Sequence, residues 1–435
     1  MTVNNAIESQ YASSFREEEI DVIGEKLRFR HSIELIGMKR VGINNLLRFF
    51  FSHKSLQDKY LSNGEQGLFI FVDLNDLIER ELFSFWRLTL KRIVDAVDAS
   101  DLEKGIKDKL SAIFLRCIQS GDIFLTYDGV RESLQYLVKH NVYPTIFFSR
   151  FDRIKESVSL EFFHNLQSLR DATDDKLVYV FTNFRTLSQL APSAFDKKSF
   201  AIFFDTIYIK PVKDEDIKVI LRAYASYYDI SLSDEIMDSM VTYSGGHLQY
   251  LQTYLVILQK MEQREEKITK AAFIKHIEND ERIMLLGEEL WESLTQDEQE
   301  ILPKIVQKEE LTDEERQLGT YLWETGMVIE DKEGIRLFNP IFALYVQKKG
   351  TTKDSSDVDM SKKEHMLFSL LKEHTGDICE REKIIEIVWP EYKEYGVSDW
   401  SIDRLVARVR GKLKKQKSPY EIITVRTRGY KLVAA

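Results

Sequence analysis

Near the end of the chain, two arginines sit at a spacing suited to reading nucleic acid. In Asp399-Trp-Ser-Ile-Asp-Arg-Leu-Val-Ala-Arg-Val-Arg-Gly-Lys-Leu413, the residues Ile402, Val406, Val409 and Leu413 recur at intervals of 4, 3 and 4. That spacing predicts a helix with one apolar face. Arg404 and Arg408 lie one turn apart and point another way, and their forked donors suit guanine edges and phosphates. The following run, Ile422-Ile-Thr-Val-Arg-Thr-Arg-Gly-Tyr-Lys-Leu432, reads as a strand pair that closes with Arg426 and Arg428 around a Gly-Tyr turn. A recognition helix followed by a basic wing makes double-stranded DNA the leading partner.

A second constellation lies near the start. Ile33-Glu-Leu-Ile-Gly-Met-Lys-Arg-Val-Gly-Ile-Asn-Asn-Leu-Leu47 sets a Gly-x-x-x-x-Gly loop between a predicted strand and a predicted helix. In that context backbone N–H groups and a helix N-terminus cradle phosphate oxygens. The chemistry then needs a Lys for the β/γ-phosphates and a Ser or Thr for magnesium. Ile43 and Asn44 stand in those places. Gly37, Lys39, Arg40, Gly42 and Asn44 are the candidate contacts for a bound nucleotide, while Gly37 and Gly42 would equally serve a plain turn. Other constellations are weak. The 8 histidines are scattered without metal-ligand spacing, and Ser149 lies in no Gly-x-Ser-x-Gly turn. Trp291 and Trp323 read as core.

These groups must be positioned by elements along 435 residues, enough for two to four domains. Short apolar runs alternate with amphipathic stretches from about residue 33 to 261. Strands are expected at His31–Ile36, Gly67–Asp73, Tyr143–Ser149, Leu177–Thr182 and Thr206–Ile209, with helices at Asn45–His53, Leu82–Val97 and Glu161–Arg170. The alternation predicts an α/β domain with a largely parallel sheet. Gly245-Gly246 then breaks into a further helix. From about residue 281 to 348, Thr295 and Glu298 form a capping box, Gly319–Gly326 is helical in pattern, and Met327–Phe338 turns at Lys332-Glu-Gly334. Helices followed by a hairpin suggest a small winged helix. Its Leu311-Thr-Asp-Glu-Glu-Arg-Gln317 is too acidic for phosphate, so a structural or protein-contact role is expected. Residues 349–359 are small, polar and linker-like.

Charge divides the same way. The whole chain carries −10, but from residue 360 onward there are 16 Lys/Arg against 11 Asp/Glu, and within 400–435 the count is 10 against 2. A basic end on an acidic body fits local DNA contact. Cys117 and Cys379, the 2 cysteines, suit a reducing cytosol. The N-terminus lacks a signal-peptide core, and no apolar run approaches the roughly 18–20 residues that span a bilayer. A cytoplasmic location, nucleoid-associated when on DNA and without membrane contact, is expected.

The last 76 residues resemble the winged-helix effector domain of OmpR/PhoB-type response regulators. The resemblance rests on Ser361-Lys-Lys-Glu364, Gly376-Asp-Ile-Cys-Glu-Arg-Glu382, Val388-Trp-Pro390, Ser398-Asp-Trp-Ser-Ile-Asp403 with Arg408-Val-Arg-Gly-Lys-Leu413, and Thr424-Val-Arg-Thr-Arg-Gly-Tyr430. It implies that Arg404 and Arg408 face the major groove, and that Thr424, Arg426 and Tyr430 hold backbone at the wing. Ser401, Arg410 and Arg428 complete the expected DNA-binding set. The loop Trp389-Pro-Glu-Tyr-Lys-Glu-Tyr-Gly396 stands where such regulators meet RNA polymerase. Trp400 replaces an Arg that the family often places on phosphate, and no receiver domain is recognisable upstream.

Residues from about 25 to 345 resemble the AAA+/STAND class of P-loop ATPases, in particular archaeal-type members with a winged helix after the core. Phe69-Ile-Phe-Val-Asp-Leu74, Glu161-Phe-Phe-His-Asn-Leu166, Val178-Tyr-Val-Phe-Thr-Asn183 and Ser244-Gly-Gly-His247 carry it. The Walker B equivalent is Thr145-Ile-Phe-Phe-Ser-Arg-Phe-Asp-Arg153, with Ser149 and Arg150 in the acidic places and Asp152 three residues further on. The magnesium carboxylate and the water-activating glutamate are both replaced.

The expected architecture is therefore an arm (1–25), an α/β P-loop NTPase-like core (26–280), a structural winged helix (281–348), a linker (349–359) and a DNA-binding winged helix (360–435). The expected function is non-enzymatic DNA-binding regulation, probing double-stranded DNA with a scaffold that self-associates or holds a partner. Two alternatives stay open: a switch that holds ATP or ADP without hydrolysis, and a protein-interaction scaffold. No metal or other cofactor is expected.

Overall fold

The computed structural model describes residues 7–60, 66–194, 204–228, 230–351, 360, 362–389, 399–416, 418–425 and 428–434. They divide into two compact units, Met1–Lys348 and Lys349–Ala435.

The first unit is built on five strands: β1 (Ser32–Ile36), β2 (Gln66–Asp73), β3 (Val142–Ser149), β4 (Val178–Asn183) and β5 (Phe204–Tyr208). Their order is β2-β3-β4-β1-β5, and every neighbouring pair runs parallel. The expected strands match these to within two residues at either end. Alternate side chains feed opposite faces of the sheet. Val178 and Val180 join one buried cluster, while Tyr179 and Phe181 join the other. Burial on both faces is why the strands read as unbroken apolar runs.

Helices α1 (Glu17–Arg28) and α2 (Ile43–Ser52) flank β1 in the chain. Three helices, α3 (Leu82–Asp98), α4 (Lys104–Ser120) and α5 (Ile123–Lys139), lie between β2 and β3, and α6 (Leu160–Asp171) leads to β4. The α4–α5 hairpin was not foreseen. Gly129, a helix-breaker by sequence, sits inside α5 because α4 passes close to it: a Cβ there would stand 2.4 Å from Cys117 Sγ. After β5 come α7 (Asp214–Tyr228), α8 (Asp234–Ser244), α9 (Leu248–Gln263) and α10 (Lys270–Asn279).

The first winged helix follows without a break in the core. It comprises α11 (Glu281–Glu292), α12 (Gln296–Val306), α13 (Asp313–Leu318), α14 (Thr320–Glu324), the hairpin β6 (Val328–Asp331) and β7 (Gly334–Leu337), and α15 (Pro340–Thr351). The Thr295/Glu298 capping box is present at the start of α12. Ile301, Leu302, Leu322, Met327 and Phe342 belong to the same buried cluster as Ile33, Leu35 and Leu46. One further joint is ionic. Arg185, in the loop after β4, binds the Glu298 carboxylate (Nη1–Oε1 2.7 Å) and the Ser293 carbonyl, and its guanidinium lies 3.6 Å from the Tyr321 ring centroid. Arg185 and Glu298 are both buried.

The second unit has α16 (Lys362–Glu373), β8 (Ile378–Glu380), α17 (Arg381–Val388), α18 (Asp399–Lys415), β9 (Tyr420–Val425) and β10 (Gly429–Ala434). Its sheet is antiparallel in the order β8-β10-β9. Leu367, Leu371, Ile384, Ile402, Val406, Val409 and Leu432 form its own core. This is a winged helix. Gly429 and Tyr430, which the sequence reading put at the turn, lie in β10, where Gly429 pairs with Glu380 and Val425 and Tyr430 with Cys379 and Thr424.

Candidate nucleic-acid interface and the phosphate loop

In α18 the 4-3-4 apolar spacing does what it predicted: Ile402, Val406, Val409 and Leu413 are buried, as are Ser401 and Leu405. Asp403, Ala407, Gly411 and Lys414 are exposed, spaced 4, 4 and 3, and mark the outward stripe. Arg404 shares that stripe and is half-buried, three residues before Ala407. Ala407 and Gly411 leave the middle of the stripe with little side-chain bulk beside it.

The other expected contacts divide between surface and scaffold. Arg408 is half-buried, its Nε 4.0 Å from the Glu364 carboxylate, which also accepts from Lys412 Nζ at 2.8 Å. Glu364 is buried on α16, so these two cations tie α18 to the first helix. Arg410 donates to the Ile422 carbonyl and to Thr424 Oγ1, both at 2.8 Å, and so braces β9 against α18. Thr424 and Arg428 are exposed at the wing. Arg426 lies outside the described residues, as do residues 390–398.

Tyr430 is buried. Its hydroxyl donates to Asp403 and accepts from Arg381 Nη2 at 3.0 Å, and Arg381 also binds Asp403. Burial, followed by the bond to Asp403, pushes the phenol well above its ordinary range. The hydroxyl that the resemblance put on DNA backbone is here spent on fixing α18 to β10. Its partners lie 27 and 49 residues away, which no local pattern reveals.

At the other end of the chain, the Gly37–Gly42 loop runs from β1 into α2 as expected, and Gly42 adopts φ +120. A Cβ on Gly42 would come within 3.2 Å of Leu248, so the start of α9 lies directly on the loop. His247 Nε2 donates to the Lys39 carbonyl at 2.9 Å. Burial lowers the His247 pKa to about 4, which keeps the imidazole neutral. Arg40 Nε meets the Glu289 carboxylate of α11 at 2.6 Å. Lys39 Nζ lies 4.7 Å above the Phe184 ring. Burial lowers the Lys39 pKa, against the pull of Glu289 and Asp152; burial raises that of Asp152, against the pull of Lys39.

The two positions that the resemblance set against magnesium bond to each other. Ser149 Oγ donates to Asn44 Oδ1 at 2.8 Å. Beside them Arg150 holds the Asp73 carboxylate, with Nη1 2.6 Å from Oδ1. Sequence reasoning missed Glu289, Phe184, Asp73 and Asn183. Asn183 is buried at the end of β4, and its side-chain amide has no hydrogen-bond partner among the described residues. Its carbonyl accepts from Gly37 N at 3.3 Å. Among the described residues no group of three or more His, Cys, Asp or Glu is placed to hold a metal, and no helix is long and apolar enough to cross a membrane.

The first unit is thus a parallel α/β body that ends in a winged helix, and the second is a further winged helix. In comparison with known proteins, residues 355–432 match the model described as "Transcriptional regulatory protein, C terminal". The transcriptional regulatory protein YxdJ of Bacillus subtilis (strain 168) is 28% identical over 119 residues, 27% of this chain; the chain spans about half of that relative's length (48%). Among solved structures, the ADP form of Aeropyrum pernix ORC2 aligns at 11% identity and a TM-score of 0.46, covering 78% of this chain and 95% of that one. The Walker-type ATPase PABY2304 of Pyrococcus abyssi aligns at 15% and 0.45, covering 76% and 95%.

Proposed function

We propose that this protein is a non-enzymatic, cytoplasmic regulator of transcription that binds double-stranded DNA through its C-terminal winged helix. The observation that carries the reading is the α18 stripe of Arg404, Ala407, Gly411 and Lys414, set on a domain that matches a transcriptional-regulator family over residues 355–432. Arg404 reads bases from this stripe, while Arg428 and Thr424 meet phosphate at the wing. Ser401, Arg410, Tyr430 and the Glu364–Lys412 pair hold the helix and wing in register, and Arg408 stands between the two roles. The body acts as a scaffold for self-association or for a partner protein, and RNA polymerase is a candidate partner of the terminal winged helix. The test is selection of DNA sequences by the full-length chain, followed by anisotropy titration of the winner at several salt concentrations. A steep fall in affinity with salt is expected, because the contacts release counterions. Absence of any enriched sequence and of salt-sensitive binding would remove the reading.

The body's lack of hydrolysis is part of the same proposal. A magnesium nucleotide fits these residues poorly. Asn44 and Ser149 are bonded to each other where the metal ligands should be, and the Arg150 cation stands where the water-activating carboxylate should be. One observation favours a second reading, in which ATP or ADP is held without hydrolysis: the buried, unbonded amide of Asn183 beside the loop. Calorimetric titration of the full chain with each nucleotide decides between them, and no heat removes the second.

A further inference from the structure

A phosphate loop offers anions its backbone, and here a carboxylate of the protein itself meets the side chain of the loop residue Arg40. Glu289 reaches Arg40 at 2.6 Å, with its own side chain 9% exposed against 33% for Arg40. Arg40 is held in the left-handed region at φ 61, which an ordinary side chain adopts at a cost. Glu289 comes from α11, the helix that opens the first winged helix. From the opposite direction His247, at the entry to α9, bonds the Lys39 carbonyl, and Leu248 closes over Gly42. Two elements distant in sequence, α11 and the entry to α9, thus converge on a six-residue loop. The side chains at its catalytic positions, Asn44 and Ser149, bond each other rather than leaving open donors.

We infer that the Gly37–Gly42 loop is an internal clasp whose resident anion is the Glu289 carboxylate, so that a motif built for nucleotide phosphate here locks the first winged helix onto the sheet. That anion is covalently part of the chain and is never exchanged, so the position of the first winged helix does not depend on a nucleotide state. This also accounts for the coexistence of a well-formed loop with the loss of every side chain that would act on a γ-phosphate.

Thermal unfolding of the full-length protein tests the clasp in two ways. Arg40→Ala and Glu289→Gln should each lower the first-unit melting temperature by a few degrees, and the double variant should fall no further than the worse single, because both remove one interaction. The exchange Arg40→Glu with Glu289→Arg should recover part of the loss. Losses that add in the double variant, or single variants that melt like the wild type, would overturn the inference. If either truncating variant fails to fold, Arg40→Lys and Glu289→Asp replace them under the same criteria. The second arm uses the wild type with inorganic pyrophosphate, ADP and magnesium ATP at millimolar concentration. No change in melting temperature is expected, and a rise with any of the three would show a replaceable anion and sink the clasp.

Discussion

The phosphate loop and the terminal helix each carry neighbouring cations, and the chain turns them in opposite directions. In the body, Arg40, Arg150 and Arg185 end on Glu289, Asp73 and Glu298. In the terminal winged helix, the scaffold arginines Arg381 and Arg410 are likewise committed, but Lys414 is exposed on the outward stripe and Arg428 is exposed at the wing. The acid–base composition of each unit supplies the reason. A body rich in Asp and Glu offers a carboxylate to each of these cations, whereas residues 400–435 contain only Asp403 and Glu421. Asp403 is already bound to Arg381 and Tyr430. A basic segment short of internal carboxylates leaves cations facing outward to seek external ones. The lesson is that a cation-bearing motif does not tell its target; the local supply of anions does.

The largest test of this contrast is Arg185→Ala. The variant leaves the Glu298 carboxylate buried and without its ionic partner, and should cost about 3–5 kcal/mol in chemical denaturation of the full-length protein while leaving DNA affinity unchanged. An effect on DNA affinity instead of stability would break the inward–outward distinction. Next in size is a pH effect. His247, whose pKa is lowered by burial to about 4 from the ordinary 6.5, stays neutral in the folded state while the unfolded chain takes up its proton first. Its contribution to stability is therefore full above about pH 6.5 and is lost as pH falls toward 4, by on the order of 3 kcal/mol. Comparing the wild type with His247→Gln across that window isolates it, and parallel curves would mean the imidazole does not titrate as described.

On the outward side, Arg404→Ala should weaken binding to the selected DNA by about 1–3 kcal/mol and relax preference at one base position. Its melting temperature should stay near that of the wild type; a large drop there would move Arg404 to the scaffold group. The smallest effect is expected from Arg428→Ala. Selected and unrelated DNA should lose affinity alike, and the slope of log affinity against log salt should shrink by about 1. A sequence-dependent loss would make the wing a reader rather than a phosphate contact.

Much of this architecture is legible in the residues, for identifiable reasons. The parallel strands were visible because burial on both faces leaves no polar alternation to confuse them. Helix α18 was visible because Ile402, Val406, Val409 and Leu413 need no partner information to declare a face. The α4–α5 hairpin was not, since Gly129 and the exposed Leu115, Ile118 and Phe124 blur its period. At the site, residue types pointed to Arg404, Lys39 and Arg40 but could not separate surface from scaffold. Whether Tyr430 faces a phosphate or Asp403, and whether Arg40 faces a ligand or Glu289, depends on contacts across 27 and 249 positions. Such pairings are set by the fold, and only the assembled fold displays them.

The strand order has a consequence for how the body is made. β1 lies between β4 and β5, so Ile33 pairs with Val180 on one side and Asp205 on the other. On a ribosome adding about 5–20 residues per second, β1 waits about 10–30 s after it emerges before β5 can reach it. Until β4 has been made, the strand that will carry the phosphate loop is an apolar edge with neither of its two sheet neighbours to pair against. The early helices α1 and α2 are its available cover, which places the buried Ile23, Leu27, Leu46 and Phe50 among the residues whose loss should appear first as aggregation during synthesis rather than as a lower melting temperature of the finished protein.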